Sequence, residues 1–232
     1  MTSRMFKLWL DKRIKTWNPF VGCLFHCSYC WARRMARRSW CIKCRKFVPH
    51  LHPERLDLRK VPKEGIVFIS DMGDLAWATA IDLQRIIDVI HRIQFRYSTI
   101  FFFETKNPEL YDTTFFHGLD LDNTIFSTTI ETNREDIVKQ FSKAPPPEKR
   151  KYWMTERLGR KHISIEPIMD FDPDVMFKWI TEIEPEIVSI GYDNYNNHLP
   201  EPPLSKTLKL IEDLEASGII VERKTLREAQ KI

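Results

Sequence analysis

Along this chain, short runs of consecutive apolar residues alternate with longer stretches whose apolar residues recur at helical spacing. Gly65–Ser70 is a short, continuous apolar run and reads as a buried strand, and Thr99–Glu104, Thr124–Ile130, Lys161–Glu166, Glu186–Gly191 and Ile219–Arg223 read as further strands. Ala80–Ile93 repeats apolar residues at Ile81, Leu83, Ile86, Ile87 and Ile90, the stripe of an amphipathic helix. Asp172–Ile183 and Leu204–Ser217 read as further helices, the second ended by Gly218. Pro108 is set to begin a short helix, and Asn133 to cap one running to about Phe141. Ala144–Arg150 carries three prolines in a row and reads as an exposed turn, with a helix from Glu148 to Leu158.

Strands and helices alternating at this spacing imply right-handed βαβ units and a parallel sheet. With Ile14–Trp17 as the first strand, the pattern holds six βα units and a terminal strand. That falls short of the eight units of a closed barrel. The expected fold is α/β, a partial (βα)6-type barrel in a single domain over residues 1–232, with a Cys/Arg-rich insertion at about 40–60. Ligands of parallel α/β sheets sit beyond the carboxyl ends of the strands. Those ends carry Asn18; Ser70, Asp71 and Asp74; Glu104, Lys106 and Asn107; Glu131, Thr132 and Asn133; Glu166; and Tyr192, Asp193 and Asn194. Unpaired acids are costly to bury, so the set points to a polar site. Ordinary salt bridging at Glu131 and Glu166 is the plain alternative.

Composition adds three things. Hydrophobic residues at 43% and charged residues at 29% describe an ordinary globular chain. Arg4, Lys7, Lys12 and Arg13 break any secretion-signal core, and the apolar run Ile100–Phe103 is far too short to span a bilayer, so the expected location is the cytoplasm, with no membrane partner. The net charge of +4 is unevenly placed. Arg33, Arg34, Arg37, Arg38, Lys43, Arg45 and Lys46 follow one another without an acid, beside Trp31 and Trp40. Such a block fits either a nucleic-acid contact or a solvated helix face.

All five cysteines lie between positions 23 and 44. Clustering of this kind, with an odd count, points to metal ligation rather than a disulfide framework. Cys23, Cys27 and Cys30 form a Cys-x3-Cys-x2-Cys loop just after the first strand. Three thiolates so spaced can hold three corners of a cubane and leave the fourth iron for another ligand. Structural zinc, with His26 or another ligand completing the set, is the alternative. Cys41 and Cys44 form a separate Cys-x2-Cys, followed by His50 and His52. Two thiolates and two imidazoles suit tetrahedral zinc, but Cys44 to His50 is shorter than in a zinc finger and His50–His52 is too close for the usual pair. Half a zinc site, ligands of a second cluster and plain buried thiols all stay open.

The cysteine loop, with the aromatic Tyr29 before its last cysteine, resembles the signature of the radical S-adenosylmethionine (SAM) superfamily. Thr16–Cys23, Cys27–Arg34 and Phe47–Leu56 are similar to one branch of it, the phage- and prokaryote-encoded three-cysteine-motif proteins of uncharacterised substrate. Ser70–Leu75, Thr105–Pro108, Thr128–Asn133, Ile165–Pro167 and Ile190–Gly191 continue the likeness. The resemblance implies an enzyme in which Cys23, Cys27 and Cys30 ligate a [4Fe–4S] cluster, with Tyr29 beside it. It puts Ser70, Asp71, Gly73 and Asp74 where the superfamily has a Gly-Gly-Glu-like stretch meeting the SAM amino group; here the glycine pair is missing. It sets Thr129, Glu131 and Asn133 toward the SAM ribose or carboxylate, and Glu166, Gly191 and Tyr192 toward the ribose or adenine. It also implies an electron donor such as ferredoxin or flavodoxin. Cys41 and Cys44 depart from the branch. The competing function is a zinc-stabilised nucleic-acid-binding protein without catalysis.

Overall fold

A computed structural model describes residues 14–230; the basic stretch from Arg4 to Arg13 lies outside the described residues. The strands are β1 (Ile14–Trp17), β2 (Phe20–Val21), β3 (His50–Leu51), β4 (Ile66–Ile69), β5 (Ile100–Thr105), β6 (Thr124–Thr129), β7 (Arg160–Ile165), β8 (Ile187–Ile190) and β9 (Ile220–Arg223). Seven of them form one sheet in the order β1-β4-β5-β6-β7-β8-β9, which is chain order apart from the small β2–β3 pair. The registers Ile14↔Ile66, Ile66↔Ile100, His162↔Ile187 and Ile187↔Ile220 are all parallel. Six crossovers linking seven parallel strands give the α/β, partial-barrel topology expected from the pattern.

The helices are α1 (Trp31–Ala36), α2 (Ile42–Arg45), α3 (Ala80–Gln94), α4 (Glu135–Phe141), α5 (Pro147–Glu156), α6 (Pro173–Ile183) and α7 (Leu204–Ala216). The chain divides into two compact units, one made of residues up to 24, 30–105 and 109–126, the other of 25–29, 106–108 and 127 onward. In the first, α3 starts at the Thr79 cap, whose hydroxyl accepts from the Asp82 N–H at 3.1 Å. It buries Leu83, Ile86, Ile87, Val89, Ile90 and Ile93, but Ile81, counted above as part of the stripe, stands in the first turn 74% exposed. Phe103, Tyr111, Phe116 and Phe126 form an aromatic cluster with mostly edge-to-face contacts. In the second unit, all four residues of β8 are buried, as are Met176, Ile180 and Ile183 of α6 and Leu210, Ile211 and Leu214 of α7. No helix among the described residues is long and apolar enough to cross a membrane.

Pro108 opens the expected short helix, a 3-10 helix over Pro108–Asp112. Two local expectations change. Asn133 does not cap α4: the cap position is Arg134, and the Asn133 amide is engaged by Asp172, donating to Oδ2 at 3.0 Å and accepting from the backbone N–H at 2.8 Å. Ala144–Arg150 is not an exposed turn. Pro147 begins α5, and Arg150, one turn in, is fully buried.

Candidate functional site

In the first unit the entry to the cysteine loop is held by backbone. Gly22 N–H donates to Met72 O at 3.1 Å, Asp74 N–H donates to Gly22 O at 3.2 Å, and Gly22 bridges Gly73. A Cβ at Gly73 would stand 2.9 Å from Gly22 N, and one at Gly22, whose φ is +98°, would stand 2.4 Å from Val48 O. Both positions require glycine. The Asn18 side-chain oxygen accepts from Met72 N–H at 3.0 Å. Cys23 N–H donates to Phe47 O at 3.3 Å, and the Cys30 sulfur caps α1 by accepting from Arg33 N–H at 3.3 Å. Cys23 and Cys30, both partly exposed, pack against the same buried group of Ala32, Ala36 and Phe47.

The stretch 70–74 therefore lies against the first cysteine although it lacks the glycine pair. Ser70 adopts a left-handed backbone (φ 56°), and its hydroxyl, like Asp71 Oδ1, is buried without a hydrogen-bond partner. Burial raises the Asp71 carboxyl above its ordinary value. Buried polar atoms are seldom left unsatisfied, so these two are available for a polar or cationic group brought by a ligand. Asp74 is engaged: its Oδ1 accepts from Ala76 N–H at 2.9 Å and from the Thr105 hydroxyl at 2.6 Å.

In the second unit a charged network surrounds Glu131, which is fully buried. The Tyr29 hydroxyl donates to Glu131 Oε1 at 2.5 Å, Lys106 Nζ donates to the same oxygen, and Arg150 Nη1 donates to Oε2 at 2.7 Å. Arg150 also donates to Thr129 O and Pro145 O, each at 2.8 Å, and Lys106 lies 5.3 Å from the Tyr29 ring centre. Burial alone would raise the Glu131 carboxyl, but the Arg150 and Lys106 cations outweigh it and hold the acid well below its usual range. Burial, then the Glu131 charge, push the Tyr29 phenol well up, so it stays a donor. Both carboxylate oxygens are thus held by protein groups. The same loop is tied down by Ser28 N–H to Phe141 O at 2.8 Å and Lys143 N–H to Phe25 O at 2.6 Å, while Cys27 Sγ lies 3.1 Å from the Ser142 hydroxyl.

The other strand-end residues of this unit serve different ends. Glu166, raised by burial, sits where a Cβ on Gly191 would come within 2.8 Å of its Oε1. Tyr192 is buried, with its hydroxyl 2.9 Å from Pro202 O and 2.7 Å from the Thr207 hydroxyl. Arg150 was missed in the sequence. An arginine in the first turn of a helix with no apolar stripe reads as a surface residue, and no local signal marks it as the partner of an acid 19 positions earlier.

The second cysteine pair belongs to a tight group in the first unit. Cys41, Cys44, His50 and His52 bring one ligand atom each to within 4.8 Å of all the others. Cys41 Sγ and Cys44 Sγ lie 3.5 and 3.6 Å from His50 Nε2, and Cys44 Sγ lies 3.2 Å from His52 Nε2. The backbone N–H of Cys44 draws the Cys41 thiol below its ordinary value, whereas burial pushes Cys44 up and His52 down.

No known protein-family profile and no curated protein sequence matches the chain. Solved structures do. Over 91% of its length the chain superposes on 50% of Streptococcus suis SuiB bound to S-adenosylmethionine, with a TM-score of 0.60 and 11% identity. It superposes over 91% on 66% of a radical SAM methyltransferase from Sphaerobacter thermophilus (TM-score 0.60, 12% identity). It superposes over 86% on 60% of a spore photoproduct lyase variant with bound AdoMet and a dinucleoside spore photoproduct (TM-score 0.55, 12% identity). The chain spans between half and two thirds of these proteins. At such identities the likeness is one of fold, and the fold is the one these radical SAM structures share.

Proposed function

We propose that the chain is a radical SAM enzyme in which Cys23, Cys27 and Cys30 hold a [4Fe–4S] cluster with one iron left for SAM. The observation that carries this reading is the Cys-x3-Cys-x2-Cys loop at the carboxyl end of the first strand of a parallel sheet, entered through a glycine bridge that admits no side chain. Cys23, Cys27 and Cys30 would hold the cluster, which would provide the one-electron reduction that cleaves a carbon–sulfur bond of SAM into methionine and a 5′-deoxyadenosyl radical.

The protein's part is to orient and to exclude. Tyr29 and Glu131 fix the loop ahead of Cys30, and Ser70 and Asp71 offer the unsatisfied polar atoms suited to the SAM amino group. With Glu131 and the Thr129 carbonyl engaged by Arg150 in the second unit, the chain's contact to SAM that the first unit offers is the pair Ser70 and Asp71. A ferredoxin or flavodoxin supplies the electron. The substrate is a nucleic acid, met by Arg34, Arg37 and Arg38 beside the exposed Trp40.

The test is anaerobic reconstitution with iron and sulfide, then incubation with SAM and dithionite. The expected result is about four iron per chain and formation of 5′-deoxyadenosine, abolished in Cys27→Ala. A fully iron-loaded protein that forms none would overturn the proposal, and zinc in place of iron at the three-cysteine loop would favour the zinc-stabilised binding protein.

A further inference from the structure

We infer that Cys41, Cys44, His50 and His52 form a closed, structural zinc site that pins the 40–60 insertion beneath the entry to the cysteine loop. The distances carry it. A tetrahedral ion with arms of about 2.3 Å to sulfur and 2.0–2.1 Å to nitrogen has sulfur–nitrogen edges of about 3.5 Å. The three sulfur–nitrogen separations given above are 3.5, 3.6 and 3.2 Å. A [2Fe–2S] cluster with mixed ligands seats the two imidazoles on one iron and the two thiolates on the other. That would hold sulfur and nitrogen apart across the cluster, which the 4.8 Å limit on the whole group does not allow. Two sulfurs and two nitrogens at tetrahedral spacing select zinc, and four protein donors leave no open position for catalysis.

The surroundings are those of ligands already aimed. His50 Nδ1 lies 2.7 Å from Val48 O, and His52 Nδ1 lies 2.8 Å from Glu54 Oε1. With each Nδ1–H donating outward, the Nε2 lone pairs of both rings face the sulfurs, the orientation that a supporting carbonyl and carboxylate impose on metal-binding histidines. Cys44 and His52 are buried at 3% and 8% exposure, and Cys41 and His50 close the outer side. Binding releases the two thiol protons, and the two thiolates balance the charge of the divalent ion.

The placement gives the site its role. His50 pairs with Val21 across the β2–β3 ladder, His52 N–H donates to Pro19 O at 2.7 Å, and Phe47 O receives the N–H of Cys23. A metal joining positions 41 to 52 therefore fixes the three backbone segments that lean on residues 19–23.

The experiment is elemental analysis and cobalt substitution of the full chain purified anaerobically. About one zinc per chain is expected in the wild type and in Cys27→Ala, falling at least tenfold in Cys41→Ser and in His50→Ala. Cobalt should give the intense visible bands of a tetrahedral thiolate site in the wild type and in Cys27→Ala. Glu54→Gln, which leaves all four ligands in place, should weaken zinc affinity about 10–100-fold in a chelator competition. Zinc lost in Cys27→Ala but kept in Cys41→Ser would place it at the three-cysteine loop and overturn the inference. So would iron in place of zinc in Cys27→Ala, or no zinc or cobalt uptake by the wild type. Because Cys27→Ala removes a cluster ligand and leaves this site whole, failure here and failure of the enzymatic reading give different results.

Discussion

Tyr29 donates its hydroxyl to Glu131 at 2.5 Å, across 102 positions of sequence. The acceptor is fully buried and also takes Arg150 and Lys106, so one carboxylate ties the cysteine loop to the ends of three other segments. Removing one partner of a buried charged network strands the others, which typically costs about 3–5 kcal/mol. Glu131→Gln should lower unfolding stability by that order, and Tyr29→Phe by about 1.5–3 kcal/mol for one bond to a charged acceptor. Urea unfolding checks both, and a Glu131→Gln midpoint equal to that of the wild type would refute the assignment.

The same carboxyl has a pH signature. Its folded pKa is depressed below the ordinary 4.5, so its contribution is complete above that value and is lost only as pH falls through the lower folded value. Wild type and Glu131→Gln should therefore differ most above about pH 5 and converge in strong acid.

His162 acts over a higher range. Burial holds its imidazole down at about 3 from an ordinary 6.5, between the hydroxyls of Ser127 at 2.8 Å and Ser189 at 2.9 Å. Below pH 6.5 the unfolded chain takes up a proton that the folded one refuses. Stability should fall from there toward pH 3, by up to about 1.4 kcal/mol per pH unit from this group. His162→Gln should flatten that part of the profile; a profile unchanged by the substitution would count against a neutral buried ring.

Two glycines with positive φ offer a contrast. Gly22→Ala meets Val48 O at 2.4 Å, and its backbone neighbours cannot yield, whereas Gly218→Ala meets nothing within 4 Å. The second should cost only the left-handed strain of about 1–2 kcal/mol. The first should cost more and reduce iron loading of the reconstituted loop. Equal thermal shifts for the two variants would show that the close approach does not matter.

On the basic face, Arg34, Arg37 and Arg38 are exposed and Trp40 is 98% exposed. Reversing all three arginines to glutamate should weaken binding of single-stranded nucleic acid and reduce the slope of log affinity against log salt by about 0.7 per lost phosphate contact. Fluorescence anisotropy at several salt concentrations measures both; an unchanged slope would remove nucleic acid as the partner of this face.

Much of the fold was legible because β4 and β5, buried on both faces, are near-continuous apolar runs, and the other strands recur between helical stretches at matching intervals. All seven sheet strands lie within a residue or two of where the pattern puts them. What was hidden depends on distance in sequence. The Asn133 amide looked like a cap until Asp172 claimed it. Arg150 looked like surface until Glu131 and the carbonyls of Thr129 and Pro145 enclosed it. His50 and His52 looked too close to be partners because helical spacing was the reference. His50 lies in β3 and His52 directly follows it, not on a helix, and their rings stand 4.5 Å apart.

The short β2–β3 ladder has a consequence for the order of folding. β1 and β4 are neighbours in the sheet, yet the chain between Trp17 and Ile66 is the longest excursion between adjacent strands. The entropy of closing a loop rises with its length, by about 0.6 kcal/mol per doubling. Pairing Phe20 with Leu51 and Val21 with His50 divides that excursion into two shorter closures. The ladder is thus a waypoint that makes docking of the first strand cheaper in entropy. In pulse-labelling during refolding, the His52 amide, bound to Pro19 O, should gain protection before the Ser70 amide, bound to Trp17 O.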